Sequence, residues 1–305
     1  MNNSRIVVTI PCFNEESSIK TVIENFQRIL PEAEIIIFDN ASTDRTREIA
    51  LQSGAQVIKE YRRGKGNVVQ AIFTEVEADV YVLVDGDDTY PAEEVKKLLQ
   101  PILDGRADMV VGTRLENFTK ESKVLLHSIG NRVLLKILNL CFHTHLTDIL
   151  SGYRAFHRDF VKNVPLFSTG FEIETEMTIQ ALMRGFRIVE IPISYRSRPM
   201  GGKSKIRPFR DGYRILITIL VFTRDLRPML FFPLVSFFWI GGAFIPGFRV
   251  IREFLQTGRI RYIPSAILAT GMVTLGIFFF VAGFIIHTLN RRFDEINCIL
   301  KRIKK

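Results

Sequence analysis

The sequence predicts an α/β domain with a mostly parallel sheet, followed by two membrane-spanning helices. Three observations carry that reading. Strand-like and helix-like apolar patterns alternate over the first two thirds of the 305 residues. Residues 229–248 and 263–286 form stretches of 20 and 24 residues without a charged side chain, and about 20 apolar residues cross a bilayer core. Charge divides the same way: residues 1–195 hold 22 Lys/Arg against 27 Asp/Glu, and residues 196–305 hold 19 against 5.

The elements follow in order. Residues 6–10 (Ile-Val-Val-Thr-Ile) read as a buried strand ending at Pro11. Ile19, Val22, Ile23, Phe26, Ile29 and Leu30 then recur at helical spacing on one face, with Ser17 or Ser18 as the cap. Residues 35–38 are a second strand ending at Asp39. A helix over 46–52 stops at Gly54. A short strand at 56–59 and a helix over 67–76 precede a fourth strand, 80–84, ending at Asp85. Pro91 opens a helix with Val95, Leu98, Leu99 and Ile102 inward, and 109–111 is a fifth strand.

The boundaries expected are an α/β domain over 1–204, an amphipathic juxtamembrane segment over 205–227, a transmembrane hairpin over 228–289 and a basic tail over 290–305. Residues 205–225 mix basic side chains with the apolar block 215–222, which suits a helix lying in the membrane interface. Two spans place both termini on one side. Lys and Arg crowd the flank before the first span and the tail, while the connecting loop carries Arg249, Arg252, Arg259 and Arg261. That bias predicts a cytoplasmic α/β domain.

The same distribution disfavours nucleic acid as a partner, because the basic residues flank apolar runs instead of forming a stripe on the folded domain. Cys12, Cys141 and Cys298 are far apart and form no CxxC, so neither a zinc site nor a disulfide framework is indicated. The N-terminal apolar run is too short for a signal peptide.

The chemistry gathers at strand ends. Asp85-Gly86-Asp87-Asp88 follows a wholly apolar strand, where ligands bind in open α/β sheets. Two carboxylates one residue apart can hold a hard cation and leave its other positions to phosphate oxygens. An EF-hand is excluded, since Tyr90 and Lys96 stand where Gly and Glu are required. Asp39 ends the second strand and is placed to meet a base or ribose; Asp44, in the same turn, suits capping of the next helix. Gly64-Lys65-Gly66 offers backbone amides and an ammonium to phosphates. It is neither GxGxxG nor a P-loop, because Val69 and Lys59 occupy the glycine positions those motifs need.

Taken in order, these motifs resemble the family 2 glycosyltransferases with the GT-A fold. The resemblance runs through Pro11-Cys12-Phe13-Asn14-Glu15-Glu16, the turn at 39–46, Gly64-Lys65-Gly66, Asp85-Gly86-Asp87 and Val111-Gly112-Thr113-Arg114. It continues through Ser151-Gly152-Tyr153-Arg154, Gly170-Phe171-Glu172-Ile173-Glu174, Arg196-Ser197-Arg198 and Gly202-Lys203-Ser204-Lys205. Within the family the chain is most similar to polyprenyl-phosphate sugar synthases of the dolichyl-phosphate mannose or glucose type.

The resemblance implies inverting transfer of a hexose from a UDP- or GDP-linked sugar to a dolichyl or undecaprenyl phosphate, with Mg²⁺ or Mn²⁺ as cofactor. It places Pro11, Asn14, Glu15, Asp39, Lys65 and Asp85 at the nucleotide-sugar. Asp85 and Asp87 take the metal. Arg114, Arg132, Arg196, Arg198, Lys203 and Lys205 meet the acceptor phosphate, and Asp87, Arg114 and Glu174 are the catalytic candidates. Glu172 and Glu174 also suit an exposed, acid-rich helix start.

Two positions depart from the mannose synthases: Thr89 stands where they often have Gln, and Ser128 where a basic residue is usual, with His127 and Arg132 nearby. Self-association is left open. Competing readings are a transferase acting on a lipid-linked glycan or other membrane acceptor, and a membrane-tethered nucleotide-binding scaffold. A processive polysaccharide synthase would carry Gln-x-x-Arg-Trp, and the only tryptophan, Trp239, lies inside the first span.

Overall fold

The computed structural model describes residues 4–114, 122–196 and 208–303. The chain forms two compact units, Met1–Ile219 and Leu220–Lys305.

The first unit is built on a seven-stranded sheet. β1 (Ile6–Cys12) pairs parallel with β2 (Glu34–Asp39) on one side and β4 (Val80–Leu83) on the other, and β3 (Gln56–Lys59) extends the sheet from β2. β1, β2 and β4 read as apolar runs because both faces are covered, whereas β3, Gln-Val-Ile-Lys at the sheet edge, is only partly buried. Val8 and Ile10 of β1 join a cluster with α1 (Ile19–Ile29) and α4 (Val95–Leu103). Val7 points the other way, toward α3 (Lys65–Glu75) and α7 (Ile173–Met183). Alternation along each strand thus feeds two cores.

Expected boundaries and observed ones agree closely for the first five strands and for α2 (Thr46–Gln52). Gly54 follows the end of α2 at φ +78°. Arg45 stands at the N-cap of α2 without a side-chain cap; Asp44, one residue earlier, accepts the N–H of Thr46, the first helical residue, at 3.0 Å. Ser18 stands at the N-cap of α1 without capping it; its hydroxyl donates to Gly86 O at 2.7 Å and ties the helix to the acidic turn.

Two strands escaped the sequence. β6 (Arg154–His157) lies antiparallel between β4 and β5 (Met109–Thr113), and β7 (Ile188–Pro192) pairs parallel with β5 at the edge. The sheet is therefore parallel at four of its six pairings. β6 follows α5 (Ser122–Phe142) in the chain, runs antiparallel to both of its neighbours and leads into the short helix α6 (Arg158–Asn163).

In the second unit α9 (Pro228–Thr257) and α10 (Ile263–Ile303) pack together, with Gly283 against Phe232 and Gly276 against Ile240. Both helices are long and apolar enough to cross a membrane. Phe237, Phe244 and Phe278 are about 70 % exposed, an apolar surface that lipid would cover. α10 continues as helix well past residue 289, through the segment expected as a separate tail. That segment holds no Gly or Pro to stop it.

Candidate active site

β1 sends its chain onward to β2 on one side while β4 lies on the other, so a crevice opens beyond their carboxyl ends. A cavity of about 370 Å³ fills it. Pro11 and Cys12 come from β1, Asp85-Gly86-Asp87 from the end of β4, and Gly64 and Lys65 from the start of α3. Arg114 follows β5, Glu174 sits in the first turn of α7, and Asp211 and Ile215 come from α8 (Pro208–Leu226).

Lys65 is the electrostatic centre. Its Nζ lies 2.5 Å from Asp85 Oδ1 and 2.6 Å from Glu174 Oε1. Burial works against the ammonium, but the two carboxylates outweigh it and hold its pKa above the ordinary lysine value. Burial pushes the Glu174 carboxyl up, against the pull of Lys65. Glu174 Oε2 is buried without a hydrogen-bond partner.

Two glycines make this cluster possible. A Cβ on Gly66 would stand 2.0 Å from Ser168 O, because α3 starts against the backbone of the loop before α7. A Cβ on Gly152 would stand 2.5 Å from Asp85 Oδ2 and 2.8 Å from Lys65 Nζ.

Asp87 is buried, and its Oδ1 accepts from Thr89 Oγ1 at 2.6 Å and from Thr89 N at 3.3 Å. Thr89 therefore orients Asp87. Arg114 forms a two-pronged pair with Asp148, Nε to Oδ2 at 2.8 Å and Nη2 to Oδ1 at 2.9 Å. Burial alone would raise the Asp148 pKa, but Arg114 holds it below the usual aspartate value. The Arg114 guanidinium also lies 5.7 Å from the Tyr195 ring centroid. Tyr90 packs on Tyr195 and Tyr153, and burial pushes its phenol up to about 12.

Of the residues anticipated, Pro11, Glu15, Lys65, Asp85, Asp87, Arg114 and Glu174 share this cavity. Asn14 sits beside it at φ +52°, with its side chain bonded to the 42–43 turn through Thr43. Asp39 is buried and accepts from Ser42 N at 3.2 Å, while its neighbour Asn40 lines the cavity. Arg132 is exposed on α5, and Arg196 is exposed and paired with Glu93. Arg198, Lys203 and Lys205 lie outside the described residues. Glu172 and Glu174 are buried, so the exposed acidic helix start does not describe them.

Asp148, Tyr90, Tyr195 and the two α8 residues were not singled out from sequence. Asp148 alone had a usable signal, lying just ahead of the Ser151-Gly152-Tyr153-Arg154 motif.

The donor set suits a hard divalent cation. Asp85 and Asp87 bring carboxylate oxygens to the same wall, next to a cavity with room for a polyanion. Among the described residues no three acidic, His or Cys side chains converge as a complete cage. A cation held there would take its remaining ligands from a bound diphosphate and water.

The profile of Glycosyl transferase family 2 matches residues 7–164, which contain both strand-end carboxylates and Lys65. The chain belongs to this family. Among curated relatives, glycosyltransferase AglJ of Haloferax volcanii is 34% identical over 233 residues, covering 76% of each chain. A dolichyl-phosphate hexose transferase of the same organism is 34% identical over 213 residues, covering 69% of this chain and 90% of its own. Among solved structures, glucosyl-3-phosphoglycerate synthase from Mycobacterium tuberculosis, in complex with Mn²⁺, UDP and glucosyl-3-phosphoglycerate, superposes with a TM-score of 0.60. It is 25% identical, covering 72% of this chain and 80% of its own. The sheet, the strand-end carboxylates and these likenesses agree: the chain is a glycosyltransferase with a GT-A-like fold.

Proposed function

We propose that this chain transfers a hexose from a UDP- or GDP-linked sugar to a polyprenyl phosphate, with inversion at the sugar carbon. One observation carries the reading. The cavity that holds Asp85 and Asp87 is also walled by Asp211 and Ile215 of α8, and α8 leads through Arg227 into the first candidate span. The opposite side of α8 exposes Tyr213 and Ile217 beside Arg210. That surface suits a lipid interface. The curated relative named as a dolichyl-phosphate hexose transferase supports the acceptor class, and the Lys/Arg bias supports a cytoplasmic site.

In this mechanism an oxygen of the acceptor phosphate attacks the anomeric carbon from the face opposite the nucleotide. The new C–O bond forms as the bond to the β-phosphate oxygen breaks, and the electron pair leaves with the nucleoside diphosphate. The acceptor phosphate is already anionic near neutral pH, so no strong base is needed. Glu174 fits that economy, being locked in an ion pair with Lys65.

Lys65 is set to move its charge from Asp85 toward a bound diphosphate. Arg114 is pre-oriented by Asp148 and leaves its Nη1 group for phosphate. Asp85 and Asp87 would hold Mg²⁺ or Mn²⁺, which neutralises charge on the leaving diphosphate. The solved structural neighbour with Mn²⁺ and UDP supports that cofactor.

The test incubates purified protein and Mg²⁺ or Mn²⁺ with short polyprenyl phosphates and a panel of radiolabelled UDP- and GDP-sugars. Label entering the lipid phase from one donor supports the proposal. Label transferred only to a lipid-linked glycan, or from no donor by folded protein, refutes it.

A further inference from the structure

Arg154 is the largest fully buried side chain among the described residues, and the chemistry above gives it no task. It opens β6 and forms no ion pair with a described carboxylate. Burial lowers its pKa to about 10, against the pull of Glu174 and Asp148, so it stays cationic at neutral pH. A buried charge without a directly bonded counter-charge is costly to keep, and its bonds show what it holds.

Nε donates to Ser151 O at 2.9 Å and Nη2 to Ile149 O at 3.1 Å. Nη1 donates to Thr178 Oγ1 at 3.0 Å. Two of these partners belong to the loop before β6. At one end of that loop Asp148 grips Arg114. At the other, Gly152 donates to Tyr90 Oη at 3.1 Å and leaves no space for a Cβ beside Asp85 and Lys65. The third partner belongs to α7, where Thr178 donates in turn to Glu174 O at 2.9 Å. One guanidinium therefore bonds both the loop joining the Arg114 side to the Asp85 side and the helix that presents Glu174.

We infer that Arg154 is a positioning residue for sugar transfer: it clamps the 148–152 loop to α7 and so fixes Arg114 and Asp148 relative to Asp85, Lys65 and Glu174. The inference rests on the transfer reading above. The planar fork is the point, since a lysine ammonium keeps the charge but cannot address three fixed directions in one plane. Misplacement of about 1 Å between reacting groups can cost on the order of 100-fold in rate. Water, small and mobile, needs less alignment than a lipid phosphate.

The test uses full-length protein carrying Arg154→Lys. It compares sugar transfer to a polyprenyl phosphate with hydrolysis of the nucleotide-sugar by water, both normalised to folded protein by near-UV circular dichroism. Transfer is expected to fall by about 10- to 100-fold, with hydrolysis and nucleoside diphosphate affinity changed far less. A parallel fall in transfer and hydrolysis overturns the proposal, because a merely structural arginine lowers both together.

If Arg154→Lys does not fold, Thr178→Val removes one anchor and keeps the charge. A lower transfer-to-hydrolysis ratio supports the clamp, and an unchanged ratio overturns it. If the wild-type protein makes no lipid-linked sugar, the acceptor reading fails separately. The clamp is then read from amide hydrogen exchange at 149–152 against β4, where selective loss of protection in Arg154→Lys supports it and equal protection overturns it.

Discussion

Replacing Lys65 with methionine removes the one cation that separates Asp85 from Glu174. Nothing else among the described residues pairs directly with those two carboxylates. Deleting one partner of a buried ion pair costs about 3–5 kcal/mol. For a unit of this size each kcal/mol moves Tm by about 2–4 °C, so Lys65→Met is expected to lower Tm by roughly 6–20 °C near neutral pH.

The loss depends on pH with a definite sign. Burial already raises the Glu174 pKa above its unfolded value, and loss of Lys65 raises it further. The folded variant then gains a proton more readily than the unfolded chain. The penalty is full at neutral pH and shrinks as pH falls through the folded pKa of Glu174. Glu174→Gln added to Lys65→Met mimics that protonation and should recover much of the stability.

Thermal unfolding followed by near-UV circular dichroism of the tyrosines reads mainly the first unit, which holds six of the seven; Tyr262 and the single tryptophan, Trp239, lie in the second. A fall of less than about 2 °C, or an equal fall at acid and neutral pH, would falsify the account of Lys65 as the compensating charge.

Three further outcomes are expected. Asp87→Asn should cut sugar transfer by about 100- to 1,000-fold, the scale of losing one electrostatic contact to the transition state, while nucleotide binding by calorimetry is partly retained. Arg114→Ala strands Asp148, buried and 2.8 Å from its lost partner, at a cost of about 3–5 kcal/mol. Asp148 has a folded pKa below its unfolded value, so in the wild type that stability is present above the ordinary aspartate pKa and disappears as pH falls through the folded one. The variant should lack this acid-sensitive component in a pH series of urea melts. Gly66→Ala drives a methyl group to 2.0 Å from Ser168 O. It should destabilise by about 1–3 kcal/mol and raise the donor KM, because Lys65 moves with the start of α3; unchanged melting and KM would contradict the close approach.

Much of the fold was legible because it is written in contiguous residues. Apolar runs marked β1, β2, β4 and β5, since a sheet covered on both faces selects for them, while edge strand β3 showed only Val57 and Ile58 between polar ends. β6 gave no such run: it opens with a charged residue and spans four positions, Arg154 to His157. β7 carries Glu190 and Pro192, as an edge strand can. That Asp85 and Asp87 would line a crevice was readable from strand-end position alone. The use of Ser18 was not, because the acceptor of its hydroxyl, Gly86 O, is remote in sequence. For the same reason the pairing of Lys65 with Glu174, the Asp148 grip on Arg114 and the α8 wall became visible only when the chain folded. Periodicity reports which face is buried, but not which polar groups meet across it.

The proposed sugar transfer would need a divalent cation held by Asp85 and Asp87 together with a nucleoside diphosphate. Crystals grown with Mn²⁺ and UDP or GDP, with data collected at the manganese absorption edge, test that most directly. The account predicts an anomalous peak bonded to oxygens of both carboxylates and to the diphosphate, with Lys65 turned toward phosphate. Nucleotide bound elsewhere, or manganese absent from the acidic pair while the nucleotide is in place, would contradict it.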